Sequence, residues 1–200
     1  MRRTAAKAGP AHTGLFIPEA ERKLAALRKR EKVDSTGLLR FLKGIAGEQP
    51  DRERIAFLCI GSDRSTGDAL GPLVGDLLLG RGWPQVSGTL AVPCDAGSLA
   101  EMTAALPKGC TVIAVDACLG RPESIGSFLV SDGPLRPAQA IEGTVLPDVG
   151  HYSIAAVVNL QSAKPYHTLQ TTSLHAVMLM ARTLADAICD AWPQSSNLEE

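Results

Sequence analysis

Two short apolar runs, Ile55–Ile60 and Thr111–Val115, do most to limit what this chain can become. Each is continuous rather than alternating, which suits a strand covered on both faces by other layers. Helical periodicity follows the first: Leu70, Leu73, Val74, Leu77 and Leu78 repeat at helix spacing, and Pro72 sits in the first turn, where proline is tolerated. Further strands are expected near Val86–Val92 and Ile125–Val130, with a helix at Ser98–Leu106 between them. The segment Ser153–Gln161 fits either state, because Ile154, Val157 and Val158 have helical spacing but are β-branched. A last helix carries Leu174, Val177, Met178, Ala181, Leu184, Ala185 and Ile188 on one face. Alternation of strands and helices predicts an α/β fold, a three-layer α/β/α sandwich around a mostly parallel sheet of about five strands.

Charge divides the chain. Residues 1–54 hold 13 Lys/Arg against 7 Asp/Glu, and residues 55–200 hold 7 against 14. The step suggests a basic N-terminal extension at 1–54, a folded domain at 55–192 and a flexible tail at 193–200. Within the extension, a mobile arm of about fifteen residues is expected first. A helix opening at Pro18 follows, with Leu24, Leu27 and Val33 as a thin apolar stripe. A second helix, capped by Ser35 or Thr36, presents Leu38, Leu39, Phe41, Leu42 and Ile45. The basic residues have too few aromatic neighbours for base stacking, and the acidic domain is not built to bind nucleic acid directly. An anionic partner would therefore meet residues 1–54.

The 200 residues contain no apolar run long enough to span a bilayer, and no secretory leader follows Met1. The five cysteines, Cys59, Cys94, Cys110, Cys118 and Cys189, form no CxxC and read as core thiols of a cytoplasmic protein.

Ligands of open α/β sheets bind beyond the C-terminal ends of the strands. The loop Gly61–Pro72 and the segment Asp116–Gly120 occupy such positions. The loop lacks the GxxxxGK[ST] pattern of a phosphate loop, and it lacks the GxGxxG of a dinucleotide site. Asp68 fits two roles, a helix cap or a catalytic acid. Asp116 ends an apolar run, where a carboxylate is costly to bury without a purpose. Two neighbouring carboxylates cannot both ionise easily, so one can draw a proton from water while the other donates one. Such a pair hydrolyses an amide without a covalent intermediate. Cys118 beside Asp116 makes a poor nucleophile, since an adjacent carboxylate raises a thiol pKa.

The stretch Cys59-Ile-Gly-Ser-Asp-Arg-Ser-Thr-Gly-Asp-Ala-Leu-Gly-Pro-Leu-Val-Gly75 is similar to the signature of the YyaC-type sporulation proteins. The likeness continues in Ile113-Ala-Val-Asp-Ala-Cys-Leu-Gly120, Gly126-Ser-Phe, Asp132-Gly-Pro-Leu-Arg-Pro137 and Leu169-Gln-Thr-Thr-Ser-Leu174. That group resembles the germination protease of endospore formers and, more distantly, the hydrogenase maturation endopeptidases, which share the α/β/α sandwich. The resemblance implies a cytoplasmic hydrolase of sporulating cells or spores, acting on a protein or peptide substrate such as small acid-soluble spore proteins. It maps the germination protease's catalytic pair onto Asp68 and Asp116. It also implies that Gly61, Asp63, Arg64, Ser65, Thr66, Gly67 and Cys118 shape the site or bind substrate. Asp63 ranks behind the two catalytic aspartates.

His151, in Pro147-Asp-Val-Gly-His151, stands where the YyaC-type pattern carries an acidic residue. The maturation endopeptidases bind nickel through two carboxylates and a histidine. Asp68, Asp116 and His151 are therefore the alternative, a divalent transition-metal set, whereas the aspartate pair alone needs no cofactor. A simple loop histidine is the plainer account of His151. His12, His167 and His175 have no comparable context. A third possibility is a catalytically silent binding protein on the same fold. Homo-oligomerisation is left open.

Overall fold

The computed structural model describes residues 30–137 and 146–193. The expected arm, the helix from Pro18, His12, the middle of the loop after Asp132 and all but the first residue of the tail lie outside the described residues.

A six-stranded sheet forms the centre, in the order β1-β5-β6-β4-β2-β3. Its strands are β1 (Glu31–Val33), β2 (Ile55–Cys59), β3 (Val86–Ser87), β4 (Thr111–Gly120), β5 (Phe128–Ser131) and β6 (Tyr152–Leu160). β2 runs parallel to β3 and β4, and β4 parallel to β6, whereas β5 is antiparallel to both its neighbours. The α/β class and the mostly parallel sheet are as expected, with one strand more than the sequence suggested.

The layers on the two faces are unequal. One face carries α1 (Ser35–Glu48), α2 (Leu70–Gly80) and α5 (Leu174–Ala191), whose Leu38, Leu42, Val74, Leu78, Ala181, Leu184 and Ile188 pack with Phe57, Ile113 and Ile154. The other carries α3 (Leu99–Ala105) and the bridged residues Leu135 and Val149, over Ala56, Leu58, Ala114 and Ala155. Phe57, Trp83 and Trp192 stack edge to face in the first layer. Leu38, Leu42 and Ile45 of α1 share this core, so the step in charge at Ile55 falls inside a packed layer.

Several local expectations change. Val33 ends the edge strand β1, paired with Phe128, and marks no helix stripe. Asp34, not Ser35, caps α1 by accepting the Gly37 N–H at 2.8 Å. β3 stops at Ser87 because Gly88, at φ +90°, turns the chain off the sheet against the Cys59 carbonyl. β5 begins only at Phe128, after a 3-10 turn at Pro122–Ser124. Residues 152–160 form a strand buried on both faces between β4 and β5, which resolves the ambiguity there. A short helix, α4 (Pro165–Gln170), was not foreseen. Leu174 and Met178 of α5, expected on its apolar face, are exposed, whereas Val177 between them is buried. No helix among the described residues is long and apolar enough to cross a membrane.

Candidate active site

The loop that leaves β2 is set by close approaches. Gly71, in the first turn of α2, lies so near Ile60 that a side chain there would strike the Ile60 carbonyl. Gly61, at φ +141°, would likewise strike the Asp68 carbonyl. The chain therefore folds back tightly, with the Ser62 N–H on the Asp68 carbonyl and the Ala69 N–H on the Ser65 carbonyl. α4 closes the other side, where the Gly67 N–H donates to the Leu169 carbonyl at 2.8 Å. Asp68 is left half-buried at the foot of α2.

Asp116 does not end its strand, contrary to expectation. β4 continues to Gly120, and Asp116 stands opposite Ala155 of β6. Its place beside the loop follows from register. Val115 pairs with Cys59, and the Ile60 N–H donates to the Val115 carbonyl at 2.7 Å. Asp116 and the loop after Ile60 thus meet at one end of the sheet.

Both aspartates line a cavity of about 690 Å³, together with Gly61, Ser62, Arg64, Ser65 and Asp95. Its remaining wall is apolar, with Leu99, Leu146, Leu169 and Tyr166. Burial raises the pKa of Asp116, the charge of Asp68 raises it further, and the Ala117 N–H at 2.7 Å and Arg30 only partly offset this; the group is pushed up to about 8. Burial also raises Asp68, against the Ser62 backbone N–H and the Arg64 charge, with Asp95 adding to the rise. Burial and mutual repulsion thus hold both carboxylates above the ordinary carboxylate range.

The residues singled out from sequence separate into two groups. Gly61, Arg64, Ser65, Asp68 and Asp116 line the cavity. Asp63, Thr66, Gly67 and Cys118 do not; Asp63 is exposed, and Gly67 serves to seat α4 on the loop. Burial, then Asp116, push the Cys118 thiol up to about 11, which leaves it a thiol at neutral pH.

His151 is not brought to the pair. It precedes β6, level with Val112, and its Nδ1 accepts the Val112 N–H at 2.9 Å while its backbone N–H donates to the Val112 carbonyl at 2.7 Å. Asp116 lies four positions further along β4 than Val112, about 13 Å along a strand. The three-ligand metal set therefore does not fit this fold. No group of three or more His, Cys, Asp or Glu among the described residues could hold a metal ion.

Asp95 was missed. It follows the bridge between Cys94 and Ile60, so the rule that selected Asp116, an acid at a strand end, would also have selected it. Its Oδ2 lies 2.5 Å from the Arg64 guanidinium, and its Oδ1 accepts the Gly97 and Ser98 N–H groups. Burial acts to raise its pKa, but the Gly97 and Ser98 N–H groups, Arg64 and the Ser98 hydroxyl hold it low.

Fold and site together define an α/β sandwich with a carboxylate pair in a cavity at the C-terminal end of β2. The chain belongs to the family described as "Protein of unknown function (DUF1256)", which matches residues 27–187. It is 45% identical over 139 residues to "Uncharacterized protein YyaC" of Bacillus subtilis (strain 168), covering 67% of each chain. Among solved structures, it is similar to the [NiFe] hydrogenase maturation protease HycI of Thermococcus kodakarensis KOD1. That likeness has a TM-score of 0.47 and 19% identity, over 74% of this chain and 98% of the other.

Proposed function

We propose that this protein is a peptidase in which Asp68 and Asp116 divide base and acid work. One observation carries the proposal: two carboxylates line one largely apolar cavity, and burial and mutual repulsion hold Asp116 up to about 8. A pair so arranged contains an acid and a base at the same pH. Asp68 takes a proton from water as the water oxygen bonds to the scissile carbonyl carbon. Asp116 gives its proton to the amide nitrogen as the C–N bond breaks. Proton return from Asp68 to Asp116 through solvent resets the pair.

The apolar wall favours a peptide segment over a small charged metabolite. The spore setting, with small acid-soluble spore proteins as substrate, rests on the resemblance of the loop and β4 sequences to the sporulation group. The test is incubation of the full chain with such a spore protein, with fragments identified by mass spectrometry. Cleavage is expected, and Asp68→Asn or Asp116→Asn should slow it at least about 100-fold, the usual scale of general acid–base catalysis. Absence of cleavage, or equal cleavage by both variants, would overturn the proposal.

A further inference from the structure

β4 outruns one of its neighbours. β2 accompanies it only from Thr111 to Val115, and the last bond between them is the Ile60 N–H on the Val115 carbonyl at 2.7 Å. β6 accompanies it on the other side as far as Gly120. Asp116–Gly120 therefore form a length of strand with one open edge, beside the aspartate pair. Exposure follows the same boundary: Val112–Val115 are buried, whereas Asp116–Gly120 are each half-buried. Backbone groups alternate in direction along a strand. The Val112 and Gly120 carbonyls face the β6 side, where each accepts an N–H, from His151 and Gln161, at 2.7 Å. The Val115 carbonyl faces β2. The register shift between Cys118 and Leu119 skips Val158 of β6 and leaves the alternation along β4 intact. Ala117 and Leu119 thus turn their N–H and C=O groups to the open edge. Asp116 Oδ1 accepts the Ala117 N–H at 2.7 Å. The Ala117 carbonyl, the Leu119 N–H and the Leu119 carbonyl have no hydrogen-bond partner among the described residues. The Ser62 N–H, next in line for the Ala117 carbonyl, goes instead to the Asp68 carbonyl at 3.3 Å, because the chain turns away after Ile60.

We infer that an extended segment of substrate polypeptide adds to the sheet along the open edge of β4, its backbone bonding to the Ala117 carbonyl and the Leu119 N–H. The groups themselves specify the occupant. An acceptor and a donor two residues apart on one edge match the N–H and C=O of a single residue in a neighbouring parallel strand. A helix has already used those groups internally, and a small metabolite does not repeat their spacing. Ala117 also lines the cavity, so a chain paired there enters the space that Asp68 and Asp116 share. Asp116 stands at the seam between the part of the edge that β2 fills and the part that is open. The inference deepens the peptidase reading and rests on it for the cleavage step alone. The outer edges of the sheet are poorer hosts: β3 has two residues, and β1 has three, of which Glu31 and Lys32 are charged.

The test uses the full chain carrying Asp68→Asn, so that a bound polypeptide stays intact. It is mixed with small acid-soluble spore protein, or with β-casein, an unfolded chain of unrelated sequence, and amide hydrogen exchange is read residue by residue by NMR. The Leu119 N–H, unpaired in the free chain, should slow at least about tenfold when either polypeptide binds, since pairing withdraws it from water. The Cys118 N–H, which faces β6, should change little. Leu119→Pro deletes the open-edge N–H where no ladder bond is lost, and should weaken binding about tenfold, the scale of one hydrogen bond. Leu119→Ala keeps that N–H and should bind as its parent does. Should Leu119→Pro fail to fold, the exchange measurement decides alone. Binding without slowing at Leu119, or no binding of either polypeptide, would overturn the inference. So would slowing in the protein by itself that grows with its concentration, the mark of a second copy on the edge. Slowing at Leu119 in the variant, with spore protein left uncut by wild type, would uphold the inference and sink the peptidase proposal instead.

Discussion

Arg64 reaches Asp95 at 2.5 Å, joining the loop after β2 to the turn before α3, and the two charges act on Asp68 in opposite directions. Arg64 draws the Asp68 pKa down and Asp95 pushes it up. The acid limb of kcat/KM should therefore move to higher pH in Arg64→Ala and to lower pH in Asp95→Asn. A pH series from 4 to 9 on both variants reads this directly, and shifts in the same direction would contradict it. The Arg64 side chain is 73% exposed, so loss of the ion pair itself should cost less than about 1 kcal/mol.

The alkaline limb belongs to Asp116. With the group pushed up to about 8, activity should decline above that pH as the acid loses its proton. With the acid limb set by ionisation of Asp68, the full profile is a bell. A plateau extending unbroken to pH 10 would remove Asp116 from the role of acid.

The pair was legible in the sequence because Asp116 closes one apolar run and Asp68 lies in the loop that follows the other, where α/β sheets bind ligands. Its setting was less legible. Asp116 looked like a strand terminus, and nothing in Ala117–Gly120 announces that β4 continues through it alongside β6. Val33 and residues 153–161 were misread or left open for one reason: β-branched residues satisfy a helical stripe and a strand equally well over short windows. His151 entered a metal set because sequence separation says nothing about which end of the sheet a residue occupies. Only the register, with Tyr152 opposite Ile113, places it at the far end from Asp68.

His151→Ala should accordingly leave nickel or zinc binding unchanged, measured by titration of the untagged protein at pH 7. It removes the acceptor of the Val112 N–H, so a loss of about 1 kcal/mol in stability is expected instead. A fall in metal affinity would restore the three-ligand set.

Two glycine substitutions separate close packing from helix propensity. Gly71→Ala drives a side chain into the Ile60 carbonyl and should destabilise the protein by about 1–3 kcal/mol or more, while also displacing the loop that carries Asp68. Gly44→Ala, inside α1 with nothing near the added methyl, should stabilise by about 0.5–1 kcal/mol. Urea denaturation of the two variants beside wild type measures both signs.

Asp116 also sets how stability depends on pH. Its pKa is raised in the folded chain, from 3.8 to about 8, so the folded state holds a proton that the unfolded state has released. Its contribution is therefore fully favourable below the ordinary carboxylate range, is lost as pH rises, and levels off once pH passes about 8. Asn cannot ionise and keeps the shape, so Asp116→Asn should match wild type near pH 4 and exceed it increasingly towards pH 8. The gain at the plateau should be on the order of a few kcal/mol, since each pKa unit is worth about 1.4 kcal/mol before relaxation of the site is allowed for. Thermal melts of the two proteins from pH 4 to 9 trace the difference. A difference that is constant across that range would mean that Asp116 titrates normally, and the acid of the pair would have to be sought elsewhere.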